Sequence, residues 1–356
     1  MPQQEKTVII TGGAGFIGSN LVIHLLENTS WKIINIDQLT YAGNLASLGH
    51  YLHHDRHHFI HANICDGQAL TEVFQQFHPH AVIHLAAESH VDRSIDGPAS
   101  FVQTNVLGTY SLLDVSLQYY RSLPVQDRQK FRFIHVSTDE VHGSLEKNDP
   151  PFTETTKYAP RSPYSATKAA ADHLVRAWHH TYGFPAIVTN CSNNYGPRQF
   201  PEKLIPLAIL RLFQGEDIPL YGDGSQIRDW LHVNDHCRAL QLIVENGIIG
   251  SSYLIGSGQE TTNRNLLEML CAALDEAQPR SDGQSHSSAI HSVSDRPGHD
   301  ARYAIDATNI QRELGWKANI SLHDGLRSTL SWYQENKQWW QDILKKNNAL
   351  QRLGER

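Results

Sequence analysis

The sequence predicts an α/β protein built on a doubly wound parallel sheet, and three observations predict it. Short β-branched runs of the kind a buried parallel strand shows recur through the first half of the chain. Helical patterns fall between them, the alternation that builds strand–helix–strand units. A glycine-rich turn follows the first run directly and opens the first helical stretch.

Taken in order, strands are expected at 7–10, 32–36, 81–85 and 132–136, with helices at 19–27 and 102–120 between them. A long helix at 165–182 leads into a further strand at 186–189. Beyond residue 195 the alternation fades into connections such as Tyr195-Gly-Pro197, Phe200-Pro201 and Tyr221-Gly-Asp-Gly224. A nucleotide-binding domain over 1–195 is therefore expected, with a smaller C-terminal substrate-binding lobe over 196–356 from which segments can return to the first domain. Residues 279–292 read as a polar surface loop, and Trp332, Trp339 and Trp340, at helical intervals in the tail, as packing groups.

A length of 356 residues is about two domains' worth of chain, and 40% hydrophobic with 19% charged residues is a globular balance. No run reaches the roughly 18 apolar residues of a membrane span, and the amino end lacks the apolar core of a signal peptide, so the chain is expected in the cytoplasm. A net charge of -7 without single-sign blocks argues against nucleic acid and for small substrates. Cys65, Cys191, Cys237 and Cys271 lie too far apart for metal-ligand spacing and are expected as reduced core thiols. The run His53, His54, His57, His58 and His61 has no paired-ligand pattern and reads as a solvated loop, so no metal is expected.

The turn Thr11-Gly-Gly-Ala-Gly-Phe-Ile-Gly18 places Gly12, Gly15 and Gly18 between strand and helix. Positions without Cβ permit a tight turn and close backbone approach, while the helix start offers free N–H groups to a pyrophosphate. Asp37 ends the second strand, where a carboxylate accepts hydrogen bonds from an adenine ribose and repels a 2'-phosphate. This is a Rossmann-type arrangement that favours NAD over NADP.

Tyr164-Ser-Ala-Thr-Lys168 puts a phenol and an ammonium at i and i+4 on one helical face, after a start signal of Ser162 and Pro163. To act as a base at neutral pH the phenol must drop about 3 units, roughly 4 kcal/mol, and Lys168 together with a positive nicotinamide is expected to supply that. Such a pair also arises by accident on exposed helices; its place after a nucleotide-binding turn is what singles it out. Thr138, Asp139 and Glu140 follow a strand, where adjacent carboxyls are either simply solvated or supply an acid and a base.

With Thr11 to Gly18, Leu85-Ala-Ala87 and Tyr164-x-x-x-Lys168 in place, the chain resembles the extended short-chain dehydrogenase/reductase family. Further segments narrow the resemblance, across almost the whole length, to its nucleotide-sugar 4,6-dehydratases that act on dTDP-glucose. They are Thr40-Tyr-Ala-Gly-Asn44, Glu88-Ser-His-Val-Asp-Arg-Ser94, Ser137-Thr-Asp-Glu-Val141, Asn193-Asn-Tyr-Gly-Pro197, Phe200-Pro-Glu-Lys-Leu-Ile205, Gln226-Ile-Arg-Asp-Trp230 and Asp295-Arg-Pro-Gly-His-Asp300.

The resemblance implies an internal redox cycle on tightly bound NAD: oxidation at carbon 4, loss of water across carbons 5 and 6, and reduction at carbon 6. It assigns Thr138 to hydrogen-bond the 4-hydroxyl, Asp139 as general acid, Glu140 as general base, and Tyr164 with Lys168 to the oxidation. It carries NAD contacts onto the three glycines, Phe16, Ile17, Asp37, Gln38, Leu39, Thr40, Ile64, Leu85, Ala86, Ala87, Ser89, Thr104, Tyr164, Lys168 and Asn193. Asn63 is also included, although family members commonly have Asp there. For the nucleotide sugar it implies Ser89, His90, Thr138, Asn194, Glu202, Lys203, Leu204, Arg228, Asn263, Arg296 and His299, and it implies a homodimer packed through helices, with 102–120 and 165–182 as candidates. A UDP-glucose 4,6-dehydratase, a nucleotide-sugar 4-epimerase and an inactive NAD-binding scaffold are the competing readings.

Overall fold

A computed structural model describes residues 6–295 and 299–346. The first half alternates as expected: β1 (Thr7–Thr11), α1 (Phe16–Asn28), β2 (Lys32–Asp37), β3 (His57–His61), α2 (Gly67–Phe77), β4 (Ala81–His84), α3 (Val91–Asp96) and α4 (Pro98–Phe101). A widened helical turn, Val102–Gly108, continues α4 into α5 (Thr109–Ser122), and α6 (Val125–Arg128) precedes β5 (Arg132–Thr138), α7 (Pro163–Tyr182), β6 (Ala186–Cys191) and β7 (Asn193–Tyr195). Then come α8 (Leu204–Gln214), β8 (Ile218–Tyr221), β9 (Ile227–His232), α9 (Val233–Asn246), β10 (Ser252–Ile255), β11 (Glu260–Thr262) and α10 (Asn263–Ala277). The chain closes with β12 (Ile290–Val293), α11 (Thr308–Leu314), α12 (Leu322–Glu335) and α13 (Lys337–Lys346).

Seven strands form one parallel sheet in the order β10-β6-β5-β4-β1-β2-β3. The chain runs outward from β1 through β2 to β3, then crosses to β4 on the other side, so the strand order reverses between β1 and β4. A crevice opens outside the carboxyl ends of the strands at such a point. The β-branched runs that predict the strands are buried on both faces: Val8, Ile9, Ile10, Ile33, Ile34, Val82, Ile83, Phe133 and Ile134 are fully enclosed.

A second hydrophobic cluster joins α8, α10 and α12 around Ile209, Trp230, Leu267, Leu270, Leu326 and Tyr333. Smaller sheets, β11-β9-β7 and β12-β8, frame it. Trp340 is buried there, and Trp332 and Trp339 stack edge to face at 4.9 Å, which is packing of the kind the tail pattern implied. Residues beyond 195 also return to the first sheet: β10 pairs with β6, and Leu231, Leu240, Ile243, Tyr253, Ile310 and Trp316 share the core of β1 and α1.

Three expectations need correction. Three of the five histidines of that run do not lie in a loop: His57–His61 is the edge strand β3, paired with β2, and His57 is buried with Nδ1 3.1 Å from the Leu52 carbonyl. Its alternation is hidden because histidine, read from sequence as polar, here packs as an aromatic ring. The polar stretch 279–292 likewise ends in a strand, because Ile290 and its neighbours pair with β8. Cys191, Cys237 and Cys271 are buried as expected, but Cys65 is only half-buried. Among the described residues no helix is long and apolar enough to cross a membrane, and no cluster of three or more His, Cys, Asp or Glu could hold a metal.

Candidate active site

A cavity of about 300 Å³ lies in the crevice at the carboxyl ends of β1, β2, β4, β5 and β6, and a second of about 220 Å³ continues from it toward the second lobe. Glu140, Asn193, Asn194, Gln199, Glu202 and Lys203 line both, so the two form one long cleft.

The first cavity begins at the glycine turn. Gly12 has φ +75°, and a Cβ there would sit 2.7 Å from the backbone nitrogen of Ala86; a Cβ on Gly18 would sit 2.1 Å from the Gly12 carbonyl. These two glycines let β1, β4 and α1 pack closely. Gly15 is different: it precedes α1 as its N-cap and supplies no side-chain acceptor, which leaves the first N–H groups of the helix directed at the cavity. Asp37 stands at the end of β2, accepting from Ala14 N at 2.9 Å and Leu39 N at 2.8 Å. Burial pushes its carboxyl up, while those two backbone donors pull it back.

The cavity wall brings together Gly12, Gly15, Phe16, Ile17, Gly18, Asp37, Gln38, Thr40, Ile64, Leu85, Ala86, Ala87, Ser89, Thr104 and Asn193 with Thr138, Asp139, Glu140, Tyr164 and Lys168. It does not include Leu39 or Asn63. The Asn63 side chain instead accepts from Cys65 N at 2.8 Å, shaping its own turn, and Leu39 takes a left-handed backbone (φ 55°) that returns its N–H to Asp37. The second cavity gathers His90, Asn194, Glu202, Lys203, Leu204, Arg228, Asn263 and His299. Arg296 lies outside the described residues.

Helix α7 starts where the sequence says: Ser162 and Ser165 form a reciprocal capping box with Pro163 in the first turn. That start sets Tyr164 and Lys168 one turn apart, both buried, facing the end of β5. Lys168 Nζ donates to the Val136 carbonyl at 2.8 Å. The expected lowering of the tyrosine is not what the surrounding side chains produce. Burial and then the Glu140 carboxylate push the Tyr164 phenol well above its usual range, and burial lowers Lys168. Desolvation of the charged form outweighs the helical neighbour here.

Just past β5 the chain makes a short turn, Asp139–His142, with Thr138 as its cap: the Thr138 hydroxyl accepts from Glu140 N at 3.3 Å. Asp139 is 2% exposed and lies 3.3 Å from that hydroxyl through Oδ1, while Oδ2 finds no hydrogen-bond partner among the described residues. Burial, then the negative charges of Glu140 and Asp229, drive its carboxyl far above the usual range. That surrounding favours the protonated form, the form a general acid needs. Glu140, half-buried at the junction of the two cavities, complements it.

The second cavity is charge-rich. Glu202 accepts from Arg93 Nε at 3.0 Å and from the Tyr41 hydroxyl at 3.1 Å, and the Arg93 guanidinium stacks 3.9 Å above the Tyr41 ring. Lys203 Nζ reaches the Ser89 carbonyl at 3.1 Å. Arg228 stacks on Tyr303 at 4.2 Å and donates to the Asp300 carbonyl at 2.8 Å, which fixes a guanidinium at the far end of the cleft.

Tyr41 and Gln199, in the first cavity wall, and Trp230 and Tyr221, in the second, went unassigned to the site in the sequence reading. So did a polar cluster beneath the site: His135, Asp172 and Asn190 are each fully buried. Asp172, one turn beyond Lys168 on the same helix, and His135, alone in an apolar strand, were the available signals.

A sequence profile for the family described as GDP-mannose 4,6 dehydratase matches residues 9–329. Curated dTDP-glucose 4,6-dehydratases are similar throughout. That of Salmonella typhimurium is 54% identical over 344 residues, 94% of this chain and 95% of its own. That of Neisseria meningitidis serogroup B is 52% identical over 98% of this chain and 99% of its own. A solved dTDP-glucose 4,6-dehydratase of Streptomyces venezuelae with NAD bound superposes with a TM-score of 0.86 at 43% identity, covering 95% of this chain and 99% of that one. A UDP-glucose 4-epimerase of Thermotoga maritima gives a TM-score of 0.81 at 30% identity, covering 93% and 99%.

Proposed function

This chain belongs to the dTDP-glucose 4,6-dehydratase family of NAD-dependent hydro-lyases, and from that premise we propose which of its residues carry each step. The reaction is conversion of dTDP-glucose to dTDP-4-keto-6-deoxyglucose. The 4-epimerase and UDP-glucose readings are not favoured, because the dehydratase relatives are the more similar.

The open amino end of α1, the close glycine packing at Gly12 and the Asp37 carboxylate at the end of β2 suit a dinucleotide. When bound, NAD accepts hydride from carbon 4, returns it at carbon 6, and sets a positive nicotinamide charge beside the phenol. Gly15 and the first turn of α1 bind the pyrophosphate and Asp37 the adenine ribose. Thr138 orients the sugar 4-hydroxyl, and Tyr164 takes its proton, with Lys168 as the neighbouring cation.

Once carbon 4 is a ketone, the carbon 5 proton is acidic and Glu140 removes it. Asp139 protonates the departing carbon 6 hydroxyl, and Glu140 later returns a proton to carbon 5. The one observation that carries this assignment is the pair of adjacent carboxyls at the end of β5, one of them buried with an oxygen that finds no hydrogen-bond partner among the described residues. Ser89 and His90 lie near the sugar, Asn194, Glu202, Lys203 and Leu204 take the diphosphate, and Arg228, Asn263, Arg296 and His299 the nucleotide. Of the described residues, 6–195, rejoined by 233–255 and 308–316, make up the NAD lobe, and the rest the nucleotide-sugar lobe.

Val102, Leu107, Tyr110 and Tyr182 are 43–48% exposed, and this apolar face on α5, its preceding turn and α7 supports a homodimer. Light scattering in solution tests it: a monomer at micromolar concentration overturns it. A cytoplasmic setting fits the four free thiols.

Deuterium placed at carbon 4 of dTDP-glucose tests the cycle as a whole. It is expected in the new methyl group, with the carbon 5 hydrogen drawn from solvent. A methyl group without deuterium, or stoichiometric free NADH, refutes the internal cycle.

A further inference from the structure

Beneath the cleft Lys168 is buried with no carboxylate within ion-pair distance of its ammonium among the described residues; its hydrogen bond goes to the Val136 carbonyl. A buried ammonium without a nearby counter-charge is costly and tends to lose its proton. One turn further along α7, Asp172 is wholly enclosed. Its Oδ2 accepts from the Tyr158 hydroxyl at 2.7 Å and from Asn190 Nδ2 at 3.1 Å, and its Oδ1 lies 3.1 Å from His135 Nε2. The same Asn190 amide donates to the Thr138 carbonyl at 3.1 Å. A single carboxylate on the helix of Tyr164 and Lys168 is thus tied, through one amide, to the strand end that bears Thr138, Asp139 and Glu140.

Resting on the assignment of Lys168 to the reaction, we propose that Asp172 is a positioning residue that serves as the buried counter-charge of Lys168 and clamps α7 to the catalytic end of β5. His135 does not neutralise it. Burial drives that imidazole down to about 4, so it meets Asp172 as a neutral ring. The same holds for His142, also held at about 4 by burial. Arg176 reaches the cluster through the Tyr158 hydroxyl at 2.9 Å. Lys168 is faced by Tyr164 and Asp172 on its own helix, His84 on β4, His135 on β5 and Cys191 on β6. Burial holds the two imidazoles low and the thiol high, at about 12 for Cys191, which leaves Asp172 as the anion of that set. Asp172 itself lies below the ordinary carboxylate range: burial would raise it, but the 3.1 Å contact with the His135 ring nitrogen, the Lys168 charge and the Tyr158 hydroxyl together outweigh that.

Asp172→Asn, made in the NAD-loaded enzyme, keeps the shape and removes the charge. The expected result is a fall of about tenfold in kcat near neutral pH with KM within about twofold, and an alkaline limb of the kcat–pH profile that moves down by about one unit. Asp172→Glu restores the limb. A lower Tm with both limbs unmoved in Asp172→Asn means a merely structural carboxylate and overturns the proposal. Should Asp172→Asn fail to fold, lysine NMR of the unaltered holoenzyme decides, with the Lys168 signal assigned by its loss in Lys168→Arg. A signal still protonated at pH 9 upholds the counter-charge, and titration below pH 7.5 overturns it. Lys168→Met separates the two levels: near-normal activity there removes the parent assignment, whereas an inactive Lys168→Met beside an Asp172→Asn with unchanged limbs removes only this one.

Discussion

Asp37 and Asp139 occupy equivalent places, each at the carboxyl end of a strand in one parallel sheet and each lining the same cavity, yet their surroundings suit them to opposite tasks. Asp37 accepts two backbone N–H groups, which favour the ionised form and oppose the rise that burial imposes. Asp139 has a hydroxyl on one oxygen, nothing on the other among the described residues, and two further carboxylates as neighbours. The first is built to accept hydrogen bonds as an anion, the second to hold and release a proton. Position at a strand end supplies access to the ligand; the count of donors around the carboxyl decides its chemistry.

The largest way to break this comparison is to remove the proton carrier. Asp139→Asn is expected to lower kcat by about 10²–10⁴-fold with little change in KM, while NADH still appears in a single turnover. Tyr164→Phe should lose as much but show no NADH at all. Identical absorbance traces for the two variants would contradict the division of roles.

Next in size is the floor beneath Asp37. Gly12→Ala puts a Cβ 2.7 Å from the Ala86 nitrogen at a positive φ, and is expected to destabilise the protein by about 1–3 kcal/mol and to abolish measurable NAD binding by calorimetry. Normal affinity and normal melting would show that β1 and β4 can move apart freely.

Asp37 itself carries a smaller effect. Charge-assisted hydrogen bonds of about 1.5–3 kcal/mol predict that Asp37→Asn loses about tenfold or more in NAD affinity and narrows the preference over NADP, with kcat at saturating NAD unchanged. Equal binding of the two dinucleotides by the unaltered protein would sink the reading.

The smallest effect concerns stability against pH. A carboxyl raised on folding, as Asp139 is, favours the fold fully below its unfolded value near 4, and that contribution is lost as pH rises through the folded value. At neutral pH and above, Asp139→Asn should therefore melt roughly 1–3 °C higher than the unaltered protein, with the gap closing toward pH 4. A lower melting point for Asp139→Asn at pH 8 would mean that the carboxyl is stabilised in a way its surroundings do not reveal.

Much of this site was legible along the chain because its signals are local. Glycine spacing, the Ser162–Pro163 start, a helical interval of four and two adjacent carboxyls each depend on neighbours a few residues away, and the order of strands and helices follows from short-range periodicity. The strand of histidines at 57–61 was not legible, since its pairing with β2 comes from a partner more than 20 residues distant.

Charge state and contact were decided only by folding. Whether Asp139 keeps its proton depends on Glu140 beside it and on Asp229, ninety residues away, brought near by β9; whether Asn63 faces the cofactor cleft depends on a turn that claims its side chain. Tyr164 shows the limit most sharply, because a lowered phenol is expected from Lys168 together with a bound nicotinamide, whereas burial and Glu140 among the surrounding side chains act in the opposite direction. Sequence carries the types and intervals of groups, and so determines the kind of chemistry; desolvation and long-range fields depend on where water has been excluded, and only the assembled tertiary structure sets that.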